Sequence, residues 1–295
     1  VASQKRRFGE AVALIGRAVS LKRPPAAELH GNLGLALRGL GRDEDAIAEY
    51  RRALALKPDY PEAHNNLAAA LKDLGRPAEA EPHCRRSLAL RPNSPAAYFA
   101  LGTVLQDLGR LGDAEACYRQ ALALKADYAS AHLNLGAVLA AQDRPDRAIG
   151  HYRRVIALHP DDPEAHFNLG AALREVGRLD EALAAYARAQ ALKPDHADAH
   201  WNEALLRLTR GEYRLGWEKY AWGWRRSGYA RPELGGPLWQ GQGLAARSVL
   251  LHAEQGHGDT LQFVRFAVAV KAAGAARVGL ECQPGLGRLL ARASG

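Results

Sequence analysis

Apolar and polar positions alternate along most of this chain with the spacing of amphipathic helices. Apolar residues recur three and four positions apart in paired short runs, which predicts two helices in each unit. The tripeptide LGR or an equivalent separates the two runs, and its glycines at Gly75, Gly109 and Gly177 suit the left-handed conformation that ends a helix. The pattern therefore predicts a series of helical hairpins.

The unit repeats every 34 residues, as a comparison of HGNLGLALRGLGRDEDAIAEYRRALALKPDY with HLNLGAVLAAQDRPDRAIGHYRRVIALHPDD shows. A small residue recurs in the first helix at Gly34, Ala68, Gly102, Gly136 and Gly170. A large residue recurs in the second helix at Tyr50, Tyr118, Tyr152 and Tyr186, with Cys84 as the exception. One hairpin cannot bury its apolar face alone, so the hairpins must stack into a solenoid.

The period and the small and large positions resemble the tetratricopeptide repeat. This resemblance implies an all-α solenoid, a right-handed superhelix whose first helix in each repeat lines the concave face. We expect a partial repeat in residues 1–26, five repeats in 27–196 and a degenerate capping repeat in 197–230. A linker rich in Pro and Gly is expected in 231–247, and an incomplete α/β domain in 248–295.

A carboxamide recurs at one position of almost every repeat. The asparagines of this ladder are Asn32, Asn66, Asn134, Asn168 and Asn202, and Ala100 interrupts it. Each side chain has donors and an acceptor that can bind an extended peptide backbone, or that can instead fix the stacking of neighbouring helices. In the contexts AHNNL, AHLNLG and AHFNLG the ladder resembles that of the protein O-GlcNAc transferases. That resemblance implies a peptide or protein partner in the concave groove.

Histidines and cysteines give no evidence of a metal site. His30, His64, His132, His166 and His200 share one repeat position, and equivalent positions lie about 10 Å apart, too far for one ion. This periodicity indicates a packing role. The scattered Cys84, Cys117 and Cys282 fit neither a disulfide framework nor a zinc site. We therefore expect buried thiols, a reducing and cytoplasmic location, and no metal or cofactor.

The positive charge is concentrated near the carboxyl end. Residues 205–295 hold 13 basic against 6 acidic residues, whereas the preceding 204 hold 27 against 26. A near-neutral solenoid argues against nucleic-acid binding, which requires a basic stripe. No apolar run approaches the roughly 20 residues of a membrane helix, so no membrane span is expected. Because the chain begins at Val1 and has no Met, we expect a fragment or processed form.

All five tryptophans fall within residues 201–239. They are Trp201, Trp217, Trp222, Trp224 and Trp239. Terminal repeats are atypical because they cap the core, and large aromatic rings can close the end of a solenoid or dock a second domain. The alternative is that these rings stack on a sugar.

After the repeats the hydrophobic period changes. SVLLHA predicts a buried strand, TLQFVRFAVAVKAAG a helix that ends at Gly274, RVGLEC a second strand, and QPGLGRLLARA a second helix. This order predicts the opening of a doubly wound, Rossmann-like sheet. Ligands in such sheets bind at the carboxyl ends of strands, where Gly256 and Gly258 lie.

The segments PLWQGQ, LLHAEQGHGDTLQFVRF and GAARVGLECQPGLGRLL resemble the carboxyl-terminal region of bacterial repeat-bearing glycosyltransferases. The resemblance implies Asp259 as a general base towards an acceptor hydroxyl, with Glu254, Gln255, Gly256 and Gly258 lining the same cleft. Asp259 could equally be a helix N-cap. The lobe that binds the nucleotide sugar would lie beyond Gly295, so we expect this chain alone to be inactive.

Two functions therefore remain open from the sequence. The first is the acceptor-recognition part of a glycosyltransferase, which would bind a nucleotide sugar only with the missing lobe. The second is a non-catalytic repeat scaffold for protein complex assembly. Dimerisation through the convex face is open in both.

Overall fold

The chain divides into two units, Val1–Ala230 and Arg231–Gly295. The structure, a computed structural model, describes residues 2–20, 26–226, 248–252 and 266–281. In its described residues the first unit is helical, and the second contains a pair of strands and one helix.

The first unit begins with a single helix, α1 (Ala2–Ser20), and continues as helical hairpins. These are α2 (Ala27–Gly39) with α3 (Asp43–Leu56), α4 (Pro61–Asp73) with α5 (Pro77–Leu90), α6 (Pro95–Asp107) with α7 (Leu111–Leu124), α8 (Ala129–Ala141) with α9 (Pro145–Leu158), α10 (Pro163–Glu175) with α11 (Leu179–Leu192), and α12 (Ala197–Thr209) with α13 (Tyr213–Tyr220). A short 3₁₀ helix, Ala221–Arg225, follows. The predicted two helices per 34-residue unit are confirmed.

Each first helix is followed by a residue with positive φ. Gly41, Gly75, Gly109, Gly177 and Gly211 have φ between 72° and 78°. Glycine adopts this conformation without steric cost, so the prediction for the LGR glycines is confirmed. In the fourth repeat Asp143 occupies the equivalent position with φ of 59°. The hairpin geometry therefore imposes the left-handed conformation even where the residue is not glycine.

A buried tyrosine of the second helix packs on a glycine of the first helix in four repeats. The pairs are Gly34 with Tyr50, Gly102 with Tyr118, Gly136 with Tyr152 and Gly170 with Tyr186. A Cβ added at these glycines would lie 2.5 to 2.7 Å from the tyrosine Cε1 atom. Favourable carbon contacts lie near 3.5 to 4.0 Å, so only glycine permits this packing. In the second repeat both residues change, to Ala68 and the buried Cys84.

The first helices line the concave side of the stack. Consecutive first helices from α2 to α12 contact one another, whereas contact between consecutive second helices is weaker throughout the described hairpins. A stack that is closer on one side curves towards that side. The expected position of the first helices on the concave face is therefore confirmed.

The recurring histidines stabilise the loops between hairpins. His64, His132, His166 and His200 donate from Nε2 to the carbonyl oxygen six residues earlier, at 2.9 to 3.0 Å. Each bond satisfies a loop carbonyl that no helix would pair. This geometry confirms the packing role inferred from the sequence. Within the described ranges, no group of three or more His, Cys, Asp or Glu side chains could hold a metal ion.

The second unit contains β1 (Ser248–His252), α14 (Phe266–Ala272) and β2 (Arg277–Glu281). The two strands pair in parallel, with Ser248 opposite Arg277 and His252 opposite Glu281. The two predicted strands and the intervening helix are thus confirmed where the structure describes them. The predicted second helix lies outside the described residues, and the Rossmann-like fold stays a prediction.

Burial raises the pKa of the Cys84 thiol to about 12, while Cys117 is half-buried and Cys282 lies outside the described residues. The buried thiol predicted from the sequence is confirmed for Cys84. None of the helices in the described part combines the length and apolar character that a membrane crossing requires.

Candidate functional site: the concave groove

The five predicted asparagines occupy one position on five first helices, on the concave side. Asn32 on α2 is exposed, and Asn66, Asn134, Asn168 and Asn202 on α4, α8, α10 and α12 are half-buried. Ala100 holds the equivalent position on α6. The ladder therefore follows the row of first helices, and its side chains keep part of their surface exposed.

Short side chains accompany the ladder in the central repeats. The residues three positions after it, on the same helix face, are Ala69, Thr103, Ala137 and Ala171, and all are half-buried. Leucines, Leu35 and Leu205, take this position in the first and last hairpins. The side chains beside the ladder are therefore shorter in the central repeats than in the first and last hairpins. Sequence reasoning missed this row, although its spacing from the asparagines was visible.

Asn134 shows how a ladder residue is held. Its Nδ2 donates to Tyr118 Oη at 3.3 Å, and Tyr118 Oη donates in turn to Gln106 Oε1 at 2.8 Å. Burial raises the pKa of Tyr118, and the smaller effect of Asn134 opposes it. The amide nitrogen of Asn134 thus has a partner in the preceding repeat, while its Oδ1 can serve as an acceptor for a ligand.

Two other tyrosines of the series, Tyr50 and Tyr186, lack the hydrogen bonds that Tyr118 makes. Burial raises the pKa of Tyr186 to about 12, against smaller effects of Arg174 and of the nearby Asn202 amide. Although Asn202 is close enough to favour the ionised form, Tyr186 Oη has no partner at good hydrogen-bond geometry among the described residues. Tyr50 Oη is also buried and has no such partner within the described part.

The asparagine and tyrosine series change together. Asn66, Asn134, Asn168 and Asn202 each follow a tyrosine by 16 residues, whereas Ala100 follows Cys84 by the same interval. The glycine on which the tyrosine would pack is replaced as well, by Ala68. Loss of the ring thus coincides with loss of the carboxamide. The ladder therefore has a structural component at Asn134, whose amide nitrogen contacts the tyrosine of the preceding repeat.

Aromatic rings cover the carboxyl end of the solenoid. Trp222 stacks on His200 with ring centroids 4.0 Å apart, and Trp201 lies 4.4 Å from Tyr220. These contacts agree with the capping interpretation of the tryptophans. Trp217 on α13 is 51% exposed and could contact a further element. Trp239 lies outside the described residues, and stacking on a sugar stays an untested alternative.

The residues predicted to form a catalytic cleft come between β1 and α14 in the sequence. Glu254, Gln255, Gly256, Gly258 and Asp259 all fall outside the described residues. Their convergence on one cleft, and the role of Asp259 as a base, remain predictions.

The stacked helical hairpins place this chain in the class of helical-repeat proteins. Within this class, models of the tetratricopeptide repeat match residues 34–75, 59–127 and three overlapping segments, 99–163, 139–196 and 167–215. The chain belongs to the tetratricopeptide repeat family. This fold is compatible with binding of peptide or protein partners.

Solved structures agree with this assignment. A thermophilic tetratricopeptide repeat protein of Thermus thermophilus is 30% identical, with a TM-score of 0.51 over 62% of this chain and 100% of that one. MamA is 27% identical, with a TM-score of 0.51 over 56% of this chain and 96% of that one. YrrB, described as a repeat protein with an unusual peptide-binding site, is 24% identical, with a TM-score of 0.51 over 60% and 91%. No curated protein matches the sequence of this chain.

Proposed function

We propose that the concave groove binds an extended segment of a protein partner. The observation that supports this function is the row of half-buried and exposed asparagines on consecutive first helices, beside a row of small residues. A carboxamide whose nitrogen bonds a tyrosine still offers its oxygen to a peptide N–H group. YrrB, which shares the fold, is described as having a peptide-binding site.

The spacing of the ladder sets the register of the bound segment. Neighbouring first helices pack about 10 Å apart, and an extended chain rises about 3.3 Å per residue. One asparagine therefore meets about every third residue of the partner. Each hydrogen bond contributes a net of roughly 0.5 to 1.5 kcal/mol, so several in register give useful affinity without reading the partner sequence.

The test combines Asn66→Ala, Asn134→Ala, Asn168→Ala and Asn202→Ala in one chain. Linear peptides selected on the parent chain from a random library serve as probes, and fluorescence polarisation measures their affinity. We expect a loss of roughly tenfold or more, with circular dichroism still showing a folded solenoid. Asn93→Ala, at an exposed loop residue outside the groove, is the matched control.

The single variants separate the two roles of the ladder. Asn32→Ala, at the exposed first position, should weaken peptide binding with little change in stability. Asn134→Ala also removes the contact with Tyr118 and should lower the unfolding free energy by roughly 0.5 to 1.5 kcal/mol. A large fall in melting temperature with unchanged peptide affinity in the fourfold variant would mean that the ladder only fixes the stacking.

The resemblance of the carboxyl-terminal segments to repeat-bearing glycosyltransferases supports a narrower proposal. In it the groove presents a protein acceptor, residues 231–247 form a linker, and 248–295 begin a transferase lobe in which Asp259 acts as the base. The parallel pairing of β1 and β2 beside α14 is compatible with such a lobe. The alternative is a repeat scaffold without catalysis.

Calorimetry with UDP-linked sugars separates these alternatives. It is run on this chain and on any longer form that the gene encodes beyond Gly295. Binding by the longer form, with sugar transfer abolished by Asp259→Asn while peptide affinity is unchanged, supports the transferase. Failure of both forms to bind a nucleotide sugar would favour the scaffold.

A further inference from the structure

In two repeats the residue immediately before the ladder position is a phenylalanine that packs on the residue preceding the next first helix. Phe99 lies over Tyr128 with ring centroids 5.1 Å apart, and Phe167 lies 4.9 Å from His196. Separations of 4.5 to 7 Å are those of favourable aromatic pairs. In these repeats a large side chain therefore fills the space between neighbouring first helices.

The first hairpin has Gly31 at this position. A Cβ added to Gly31 would lie 3.3 Å from Tyr60 Oη and 3.4 Å from Tyr60 Cε1. Tyr60 is the counterpart of Tyr128 two repeats earlier, so Gly31 corresponds to Phe99. The chain thus holds the same tyrosine twice, once beneath a phenylalanine and once beneath a glycine.

A lysine side chain lies over the ring of both tyrosines. Lys57 Nζ lies 4.9 Å from the centroid of the Tyr60 ring, and Lys125 Nζ lies 5.0 Å from that of Tyr128. The ring of Phe99 has no counterpart at Gly31, and four further neighbours differ as well: Asn32, Leu35, Glu62 and Asn65 stand where Ala100, Thr103, Ser130 and Leu133 stand two repeats later. The ring that packs on Tyr128 indicates what the face of Tyr60 can accept.

A pocket of about 300 Å³ occupies this space, and we name it the Gly31 pocket. Its lining includes Gly31, Asn32, Leu35, Tyr60, Asn65 and Asn66. A cavity of about 150 Å³ is enough to hold a benzene ring. Leu35 is 46% exposed and offers apolar surface, and Asn65 Oδ1 is buried without a partner among the described residues. Two of the lining residues, Asn32 and Asn66, are the first members of the ladder.

We propose that the Gly31 pocket binds an aromatic side chain of the segment held in the groove, packed against Tyr60 as Phe99 packs at a tilt against Tyr128. The inference rests on the proposed peptide-binding function and gives the partner a defined feature. Asn32 and Asn66 hold the main chain on either side of the pocket, which places one partner side chain in it. The first two repeats thereby select an aromatic residue, while the rest of the ladder binds main chain.

Gly31→Phe tests the proposal by giving the first hairpin the residue that the third already has. Random linear peptides are selected on the parent chain, and each is also made with its aromatic residue replaced by alanine. On the parent we expect selected peptides to share one aromatic residue, whose replacement weakens binding roughly tenfold or more. On Gly31→Phe the same replacement should have no effect, because the internal ring already covers Tyr60.

Two further variants keep the test decisive if Gly31→Phe folds poorly. Tyr60→Ser copies Ser94, the residue at this position in the next repeat, and should also remove the aromatic preference. Phe99→Gly opens a second pocket over Tyr128 and should give a second site for the aromatic residue. Melting curves show whether each variant is folded.

The outcomes separate this inference from the function on which it rests. Suppose that peptides bind and that their binding depends on the ladder asparagines. If replacing the aromatic residue then weakens binding equally on the parent and on Gly31→Phe, the pocket proposal is overturned and the peptide-binding function stands. If no linear peptide is retained by the parent chain, peptide binding and the pocket proposal both fail.

Discussion

Gly136→Ala tests whether the glycine of each first helix and the tyrosine of each second helix change together because they are in direct contact. The new Cβ would lie 2.6 Å from Cε1 of Tyr152, about 1 Å inside a favourable carbon contact. Because Tyr152 is buried in a close-packed core, relieving this overlap should cost about 1 to 3 kcal/mol. Replacing a helical glycine by alanine also gains about 1 kcal/mol, which partly hides the clash.

Gly150→Ala on α9 supplies the matched control. An added Cβ there meets nothing within 4 Å, so this variant should show only the gain in helix propensity. We expect the unfolding free energies of Gly136→Ala and Gly150→Ala to differ by about 1 to 3 kcal/mol. Urea unfolding followed by circular dichroism measures the difference, and hydrogen exchange checks that the loss is centred on α8 and α9.

The double variant Gly136→Ala with Tyr152→Cys decides the argument. It copies the second repeat, where Ala68 and Cys84 occur together. Tyr152→Cys alone should cost roughly 3 kcal/mol through the cavity it leaves. In that background Gly136→Ala should stabilise, because the ring it would strike is gone. If Gly136→Ala has the same effect in both backgrounds, the contact does not explain why these residues change together.

Three further predictions concern backbone and proton binding. Asp143→Gly should stabilise the folded chain by up to about 1 kcal/mol because Asp143 has a φ of 59°. Gly177→Ala, where φ is 78°, should destabilise it, and thermal melts measure both changes. A fall in stability for Asp143→Gly would contradict this strain argument. Pro82→Ala should stabilise the folded chain by up to about 3 kcal/mol, since Pro82 lies inside α5 and lacks a helical N–H group. An unchanged midpoint of urea unfolding would show that the proline does not destabilise this helix. Burial raises the pKa of Tyr50, Tyr152 and Tyr186 from 10.0 to about 12, so the folded state holds these protons more tightly than the unfolded state. Their stabilisation should be complete below pH 10.0 and lost as the pH rises towards about 12. The difference in tyrosinate absorbance between the parent and a variant with Phe at these three positions isolates their ionisation, which should accompany loss of helix. Ionisation of the three residues near pH 10.0 in a still folded chain would refute the argument.

The repeat architecture was predictable because its signals are local and recur. Gly75 and Gly109 mark helix ends, and the spacing of Leu67 and Leu101 repeats the core pattern in each hairpin. The concave position of the first helices followed from the family resemblance and agrees with their closer approach, while the binding role of the asparagines on them stays a prediction. These features depend on contacts within one hairpin or between neighbours.

Other features depended on contacts that no local pattern displays. The bond from Asn134 to Tyr118 joins two repeats, and only the structure shows that both series are parts of one contact. The Gly31 pocket arises from a missing side chain, which becomes visible only when Tyr60 is compared with Tyr128. Asp143 adopts a conformation that its residue type rarely takes, because the hairpin requires it.

Ala68, Cys84 and Ala100 also have a mechanical consequence. At every other junction from the first hairpin onwards, a tyrosine ring spans from its own glycine towards the asparagine of the next repeat, but between the second and third hairpins no such ring is present. Instead, α4 lies close to α6 and α5 packs directly on α6. This junction is therefore held by the packing of helix backbones and small side chains, whereas its neighbours rely on a ring that reaches from one hairpin to the next.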